Sequence, residues 1–259
     1  MFVGRKNELA FLETAFQSEK SEFIPIYGRR RVGKSELILK FIEHKKSIYF
    51  LGKQAPSMVQ LKSFMEQASL ALDDPLIERI QMDDWEEALD LCVERLTANG
   101  KAVLVLDEFQ WMVEMAPDLP SVIQQMWDRK WKAGGKVILI LCGSFIGFME
   151  REVLGRKSPL FGRRTGQIHL KPFGYLEAGD FHPSWSESDK ARAYFVCGGV
   201  PLYHLFFEHR RSLEKTSKSI YSASIHPCSG NLTSYCAKSC AMYKVIMLCS
   251  LPLQLERLT

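Results

Sequence analysis

The sequence predicts an α/β protein, with a five-stranded and mostly parallel sheet covered by helices on both faces, a three-layer core, and then a small helical lid. Three observations carry this reading. Short apolar runs alternate with stretches of helical period through the first 170 residues. Val103–Leu106 and Val137–Cys142 are apolar without interruption, as expected of strands buried on both faces, which is the habit of parallel sheets. Phe23–Tyr27 is a third apolar run and stops at Gly28, where a glycine-bounded turn leads into a helix.

Each element follows from its pattern. Leu9, Leu12 and Phe16 recur at helical intervals, so residues 6–18 form an amphipathic helix. Phe23–Tyr27 reads as a buried strand in spite of Pro25, and a helix follows from Lys34 to Glu43. Ser47–Leu51 is the second strand. Two helices follow over 57–72 and 84–99, the latter opening at Asp84 and stopping at Asn99-Gly100. The strand at 102–106 comes next, then a helix over 119–132 that ends before Gly134-Gly135. Val137–Cys142 is the fourth strand and Gln167–Leu170 the last. From Gly174 to Arg211 the pattern is helical, broken at Gly198-Gly199-Val200-Pro201. The organisation expected is a core over 1–172, a lid over 173–215 and an irregular tail over 216–259.

Composition narrows the function classes. The chain has 259 residues, 46% hydrophobic and 25% charged, the balance of a globular protein and not of a disordered one. A formal net charge of +4 is too mild to argue for nucleic-acid binding by itself. No apolar run has the length of a membrane span, and the start is charged almost at once, so a cytoplasmic protein without membrane association is expected. Cys92, Cys142 and Cys197 lie in apolar settings and read as core residues. Cys236 and Cys240 are spaced C-x3-C, but no second pair follows at the spacing a zinc site needs.

The strongest motif is Gly28-Arg29-Arg30-Arg31-Val32-Gly33-Lys34-Ser35, which matches G-x-x-x-x-G-K-[ST]. Its glycines let the backbone bend round a phosphate so that N–H groups converge on the oxygens. Lys34 brings a point charge toward the β- and γ-phosphates, and the Ser35 hydroxyl suits Mg²⁺. The motif also stands where it must, after a strand and opening a helix. Asp107 and Glu108 end the strand at 102–106. A carboxylate at that tip can hold Mg²⁺, and a second can act as general base on water. Ser144 follows Gly143 at the tip of the next strand, where it is either a γ-phosphate or water contact or a plain turn serine. Arg163 and Arg164 form a basic loop, which either faces solvent or supplies charge to a transferring phosphoryl group.

Phe2-Val3-Gly4-Arg5, the phosphate loop, Leu106-Asp107-Glu108-Phe109-Gln110, Cys142-Gly143-Ser144, Gly162-Arg163-Arg164 and Gly198-Gly199-Val200-Pro201 occur in this order. In that combination the chain resembles the archaeal-type ATPases, in the STAND (signal-transduction) branch of the AAA+-like P-loop NTPases, over about residues 1–215. The resemblance implies an ATPase that uses ATP and Mg²⁺, with a helical lid and a later winged-helix region. It implies that Arg5 lies near the adenine, that Ser144 is a sensor residue, and that Pro201 holds nucleotide from the lid. By the same resemblance Arg163 or Arg164 is an arginine finger, acting in cis or through self-association.

Three classes compete. One is an ATP-hydrolysing switch. Another is a P-loop kinase, for which no acceptor pocket is legible. The third is a nucleic-acid-associated protein regulated by ATP, for which Arg29–Arg31 and His209-Arg210-Arg211 are the basic clusters. A DNA or protein partner stays open. The tail adds a further alternative. Its charged residues from 219 onward are only Lys238, Lys244, Glu256 and Arg257, while Cys228, Cys236, Cys240 and Cys249 crowd into it. Shifting the triplet boundary near Glu214 restores a charged sequence like the continuation of the resembled family. The expectation is therefore an out-of-frame tail, poorly ordered apart from an incidental helix near 234–250, and in the extreme a product that binds ATP without turnover.

Overall fold

In a computed structural model that describes residues 2–205 and 207, the chain divides into two compact units, one of Phe2 and Gly4–Lys171, the other of Val3 and Pro172 onward. The tail expectation, with its cysteines and its helix near 234–250, lies outside the described residues, as does the basic cluster at 209–211.

The first unit runs α1 (Lys6–Gln17), β1 (Glu22–Tyr27), α2 (Lys34–Ile42), β2 (Ser47–Leu51), α3 (Ser57–Leu72), α4 (Trp85–Thr97), β3 (Ala102–Asp107), α5 (Phe109–Met115) and α6 (Leu119–Met126). A π-turn at Trp127–Trp131 and a short α7 (Lys132–Gly134) lead to β4 (Val137–Gly143). Beyond it lie α8 (Ile146–Phe148), a second π-turn at Met149–Val153, and β5 (Ile168–His169). The strands form one sheet in the order β2-β3-β4-β1-β5, and every adjacent pair is parallel.

Side-chain alternation divides the core into two layers. On β3, Val103 and Val105 pack with Leu12 of α1 and Leu37, Ile38 and Phe41 of α2, whereas Leu104 and Leu106 face the larger layer built by α3 to α6. β3 and β4 are buried along their whole length, as their unbroken apolar runs require. In the larger layer Phe50, Phe64 and Trp85 form a cluster with ring centroids 5.5–6.0 Å apart. Emptying the Phe64 position costs about 3–5 kcal/mol by the cavity rule.

Pro25 sits in an interior strand without breaking it. The carbonyls of Phe23 and Tyr27 accept from the N–H groups of Thr165 and Leu170, so the odd-numbered residues of β1 face the β5 side. By alternation the missing N–H of Pro25 faces that side too, where β5 pairs only with Ile26 and Tyr27. The ladder to β4 loses nothing.

The expected helix at 119–132 passes into the π-turn at Trp127, and the one at 84–99 is bounded by Asp84, whose side chain accepts from Glu87 N–H at 2.8 Å. In the second unit the expected helical stretch is three separate pieces, α9 (Tyr175–Gly179), α10 (Glu187–Cys197) and α11 (Pro201–His204). They enclose small clusters of Trp185, Ala193, Cys197 and Phe207, and of Phe173, Ala178 and Phe181. His182 Nε2 and His204 Nδ1 lie 3.1 Å apart between them.

Candidate active site

The strand order decides what can meet at the carboxyl ends of the strands. β4 stands between β1, which carries the phosphate loop, and β3, which carries the acidic pair. The tip of β4 therefore lies between Lys34 and Glu108, at the edge where ligands gather in parallel sheets. That tip is Gly143-Ser144.

The loop's shape follows from its glycines. Gly33 has φ 89° and precedes α2 as its N-cap, while a Cβ on Gly28 would lie 2.2 Å from the Leu170 carbonyl oxygen. No side chain caps the N-terminus of α2, so its first amides are directed toward the loop's concavity. Val32 is fully buried and anchors the loop in the α1–α2 layer. Arg29, Arg30 and Arg31 are exposed. Lys34 is 6% exposed, and its ammonium donates to the Gly28 and Arg29 carbonyls at 3.1 and 3.2 Å. Arg5 sits behind the loop, its guanidinium donating to Val32 O at 3.1 Å and Lys171 O at 2.7 Å. It also pairs with Glu8 at 3.3 Å.

Asp107 is fully buried at the end of β3. Its Oδ2 accepts from Ser35 Oγ at 2.7 Å and from the Tyr49 hydroxyl at 2.6 Å, and its Oδ1 accepts from Glu108 N–H at 2.8 Å. Burial and the neighbouring Asp107 charge hold the Tyr49 phenol well above its ordinary value, so Tyr49 is the donor. Cys142 is pushed well up by burial and by the same charge. Ser35 and the Asp107 carboxylate form a hard-oxygen pair of the kind Mg²⁺ takes, together with water and phosphate oxygens.

Glu108 adopts a left-handed backbone conformation, φ 50°, as the N-cap of α5. Its Oε2 accepts from Ser144 Oγ at 2.8 Å and from Gln110 Nε2. Arg30 Nε in turn donates to Ser144 Oγ at 3.4 Å, which links the phosphate loop to the carboxylate through one serine.

The two arginines of the 163–164 loop differ. Arg163 grips both oxygens of Asp128 at 2.7–3.0 Å and donates to the Pro159 and Phe161 carbonyls as well. The guanidinium's hydrogen bonds hold the Asp128 carboxyl below its usual range. Arg164 is exposed, and its charge acts on Tyr27, the residue before Gly28, opposing the rise that burial imposes on that phenol. Pro201 opens α11 in the second unit.

Residues 2–205 match the family described as an ATPase domain predominantly from Archaea. The chain belongs to that family. It is 34% identical over 203 residues to an uncharacterised protein of Methanocaldococcus jannaschii, an alignment that takes in 78% of this chain and 43% of that protein, so the chain spans less than half of that relative. Among solved structures it is similar to the Walker-type ATPase of Pyrococcus abyssi, with a TM-score of 0.61 at 19% identity over 84% of this chain and 72% of that one. It is also similar to Cdc6p from Pyrobaculum aerophilum, with a TM-score of 0.58 at 16% identity over 87% and 72%. The archaeal ATPase domain thus has the P-loop NTPase fold, and with that family comes nucleotide binding. Among the described residues no helix is long and apolar enough to cross a membrane, and no group of three or more His, Cys, Asp or Glu is placed to hold a metal ion.

Tyr49 was invisible to sequence reasoning as a site residue, and Gln110 entered only as part of a motif, without a role. Tyr49 comes from an edge strand whose position beside β3 depends on strand order. Gln110 lies in α5, an element absent from the sequence reading.

Proposed function

We propose that the first unit hydrolyses ATP with Mg²⁺ and that turnover drives a conformational switch. The observation that carries this reading is the meeting, at the tips of β3 and β4, of Ser35 with Asp107 and of Ser144 with Glu108. Lys34 and the first amides of α2 bind the phosphates. Ser35 and Asp107 would hold Mg²⁺, which would supply positive charge to offset that of the phosphates. Glu108 takes a proton from the attacking water. Two donors fix its Oε2, which orients the carboxylate and directs Oε1 toward a reacting water. By the resemblance Arg5, whose guanidinium also braces the loop from behind, lies near the adenine, and Pro201 holds the nucleotide. The finger is Arg164, because Arg163 is committed to Asp128. The test is ATP hydrolysis by the full chain with and without Mg²⁺. Phosphate release that is abolished by EDTA and by Lys34→Ala supports the reading, and Mg²⁺-independent release overturns it.

Three finer readings complete the proposal. The chain falls in the STAND branch of the AAA+-like P-loop NTPases. DNA stimulation of turnover would favour the alternative of a nucleic-acid-associated ATPase. The residues beyond about 215 are out of frame, which the nucleotide sequence of the gene tests directly: an early stop in the shifted frame removes that idea.

A further inference from the structure

We infer that Tyr49 is a positioning residue for the cation end of the site, where its hydroxyl holds the Asp107 carboxylate in register with Ser35. The inference rests on the proposed role of Asp107 and Ser35 toward Mg²⁺ and adds a residue from a strand that carries no recognised motif.

The geometry is built by the sheet. Ile48 and Phe50 of β2 turn into the layer under α3 and α4, so Tyr49 turns to the opposite face and packs beside the α1–α2 layer. On β3, Val103, Val105 and Asp107 share that face by the same alternation. Tyr49 pairs with Val105 in the ladder, and Asp107 lies two residues further along. A tyrosine is long enough to lean along the strand and cover that step, and its hydroxyl arrives 2.6 Å from Asp107 Oδ2. A shorter hydroxyl side chain on β2 would not reach.

The consequence follows from burial. Asp107 is fully buried, and a buried carboxylate needs donors on both oxygens. The Glu108 N–H serves Oδ1. Oδ2 is shared by Ser35 and Tyr49. Tyr49 belongs to neither the phosphate loop nor the acidic motif, and it reaches Asp107 from β2, while the Cys142 thiol meets the same carboxylate from β4. Tyr49 fixes the orientation in which Asp107 meets the ion. With the Tyr49 hydroxyl removed, Oδ2 loses one of its donors, the carboxylate is held less firmly in register with Ser35, and the ion loses a preorganised partner.

The experiment compares wild type with Tyr49→Phe, which keeps the ring and its packing. Binding of a fluorescent ADP analogue is titrated with Mg²⁺ and repeated in EDTA. Because the Tyr49 hydroxyl acts on the ion only through Asp107, part of the worth of one hydrogen bond is expected at the ion, a rise of about three- to tenfold in the Mg²⁺ midpoint with the EDTA affinity unchanged. The shift in Tm produced by Mg²⁺ with ADP, read for each protein against its own nucleotide-free Tm, gives the same comparison even in a destabilised variant. An unchanged midpoint overturns the inference, as does an equal loss of affinity with and without Mg²⁺, which marks general damage. Indifference of wild-type binding to Mg²⁺ overturns the proposed function first and this inference with it.

Discussion

Ser144 Oγ donates to Glu108 Oε2 at 2.8 Å while accepting from Arg30 Nε at 3.4 Å, so one hydroxyl ties the carboxylate of one strand tip to the phosphate loop of another. The contact exists because β4 lies between β1 and β3. It makes the orientation of Glu108 depend on the loop.

Glu108→Gln keeps the shape of the side chain and removes its basicity. Nucleotide binding is expected within about threefold of wild type, and turnover is expected to fall on the order of 10²–10⁴-fold, the range of a lost general base. Isothermal titration and steady-state phosphate release measure the two. Ser144→Ala leaves the base in place and loosens it, for a smaller loss of about tenfold in turnover, the worth of one hydrogen bond to a carboxylate. Full turnover in Glu108→Gln removes that residue from its role.

Lys34→Ala removes the buried ammonium from the centre of the loop. Loss of a charge-assisted contact to phosphate is expected to weaken ATP binding about 10- to 100-fold. The same substitution leaves two loop carbonyls without their donor, so the measurement is an affinity at a temperature where circular dichroism reports a folded protein. Affinity equal to wild type contradicts the assignment of the loop.

How far the sequence reached is visible in particular residues. The strands at 102–106 and 137–142 were legible because a strand buried on both faces has no polar interruption to hide it. The phosphate loop was legible because its chemistry depends on residues close together in the chain. α5 was not, because its seven residues, with only Gln110 and Glu114 polar, are too short a window to establish a helical period. Nor was the partnership of Tyr49 with Asp107, since periodicity does not encode which strands are neighbours. Arg163 and Arg164 looked equivalent, and only the fold brings Asp128 within reach of the first.

That difference separates the two arginines experimentally. Arg163→Ala breaks the pair with Asp128, which is partly exposed, so a stability loss of about 1 kcal/mol is expected in a denaturant titration. Arg164→Ala is expected to leave Tm unchanged and to lower turnover on the order of 10³-fold, as loss of an arginine finger does. Mixing Arg164→Ala with Lys34→Ala distinguishes the routes: recovered activity means the finger acts between subunits, and no recovery means it acts in cis. A larger loss of turnover in Arg163→Ala than in Arg164→Ala reverses the assignment.

The second unit carries a pH dependence of its own. His204 is 1% exposed, and its Nε2 lies 2.7 Å from the Gly198 carbonyl, so that nitrogen carries the proton and Nδ1 accepts from His182 Nε2. Burial lowers the His204 value below the ordinary 6.5, against the opposing pull of the Gly198 carbonyl. Its ring stacks on Phe181 at 5.5 Å, so the groups facing it are an aromatic ring, a carbonyl and a second imidazole. The sign follows from linkage. The unfolded chain takes up a proton at 6.5 and the folded unit only at lower pH, so the unfolded state binds more protons in between. Stability is therefore complete above about pH 6.5, falls as pH drops toward the folded value, and loses at most about 1.4 kcal/mol per pH unit for one such group. A second proton also sets N–H against N–H across the 3.1 Å contact with His182. His204→Gln places an amide near the position of Nε2 and does not titrate. Melting curves between about pH 5 and pH 7.5 are expected to show a steeper acid fall for wild type than for the variant. Parallel pH profiles would mean that His204 keeps its ordinary value in the fold and that the buried pair carries no linkage.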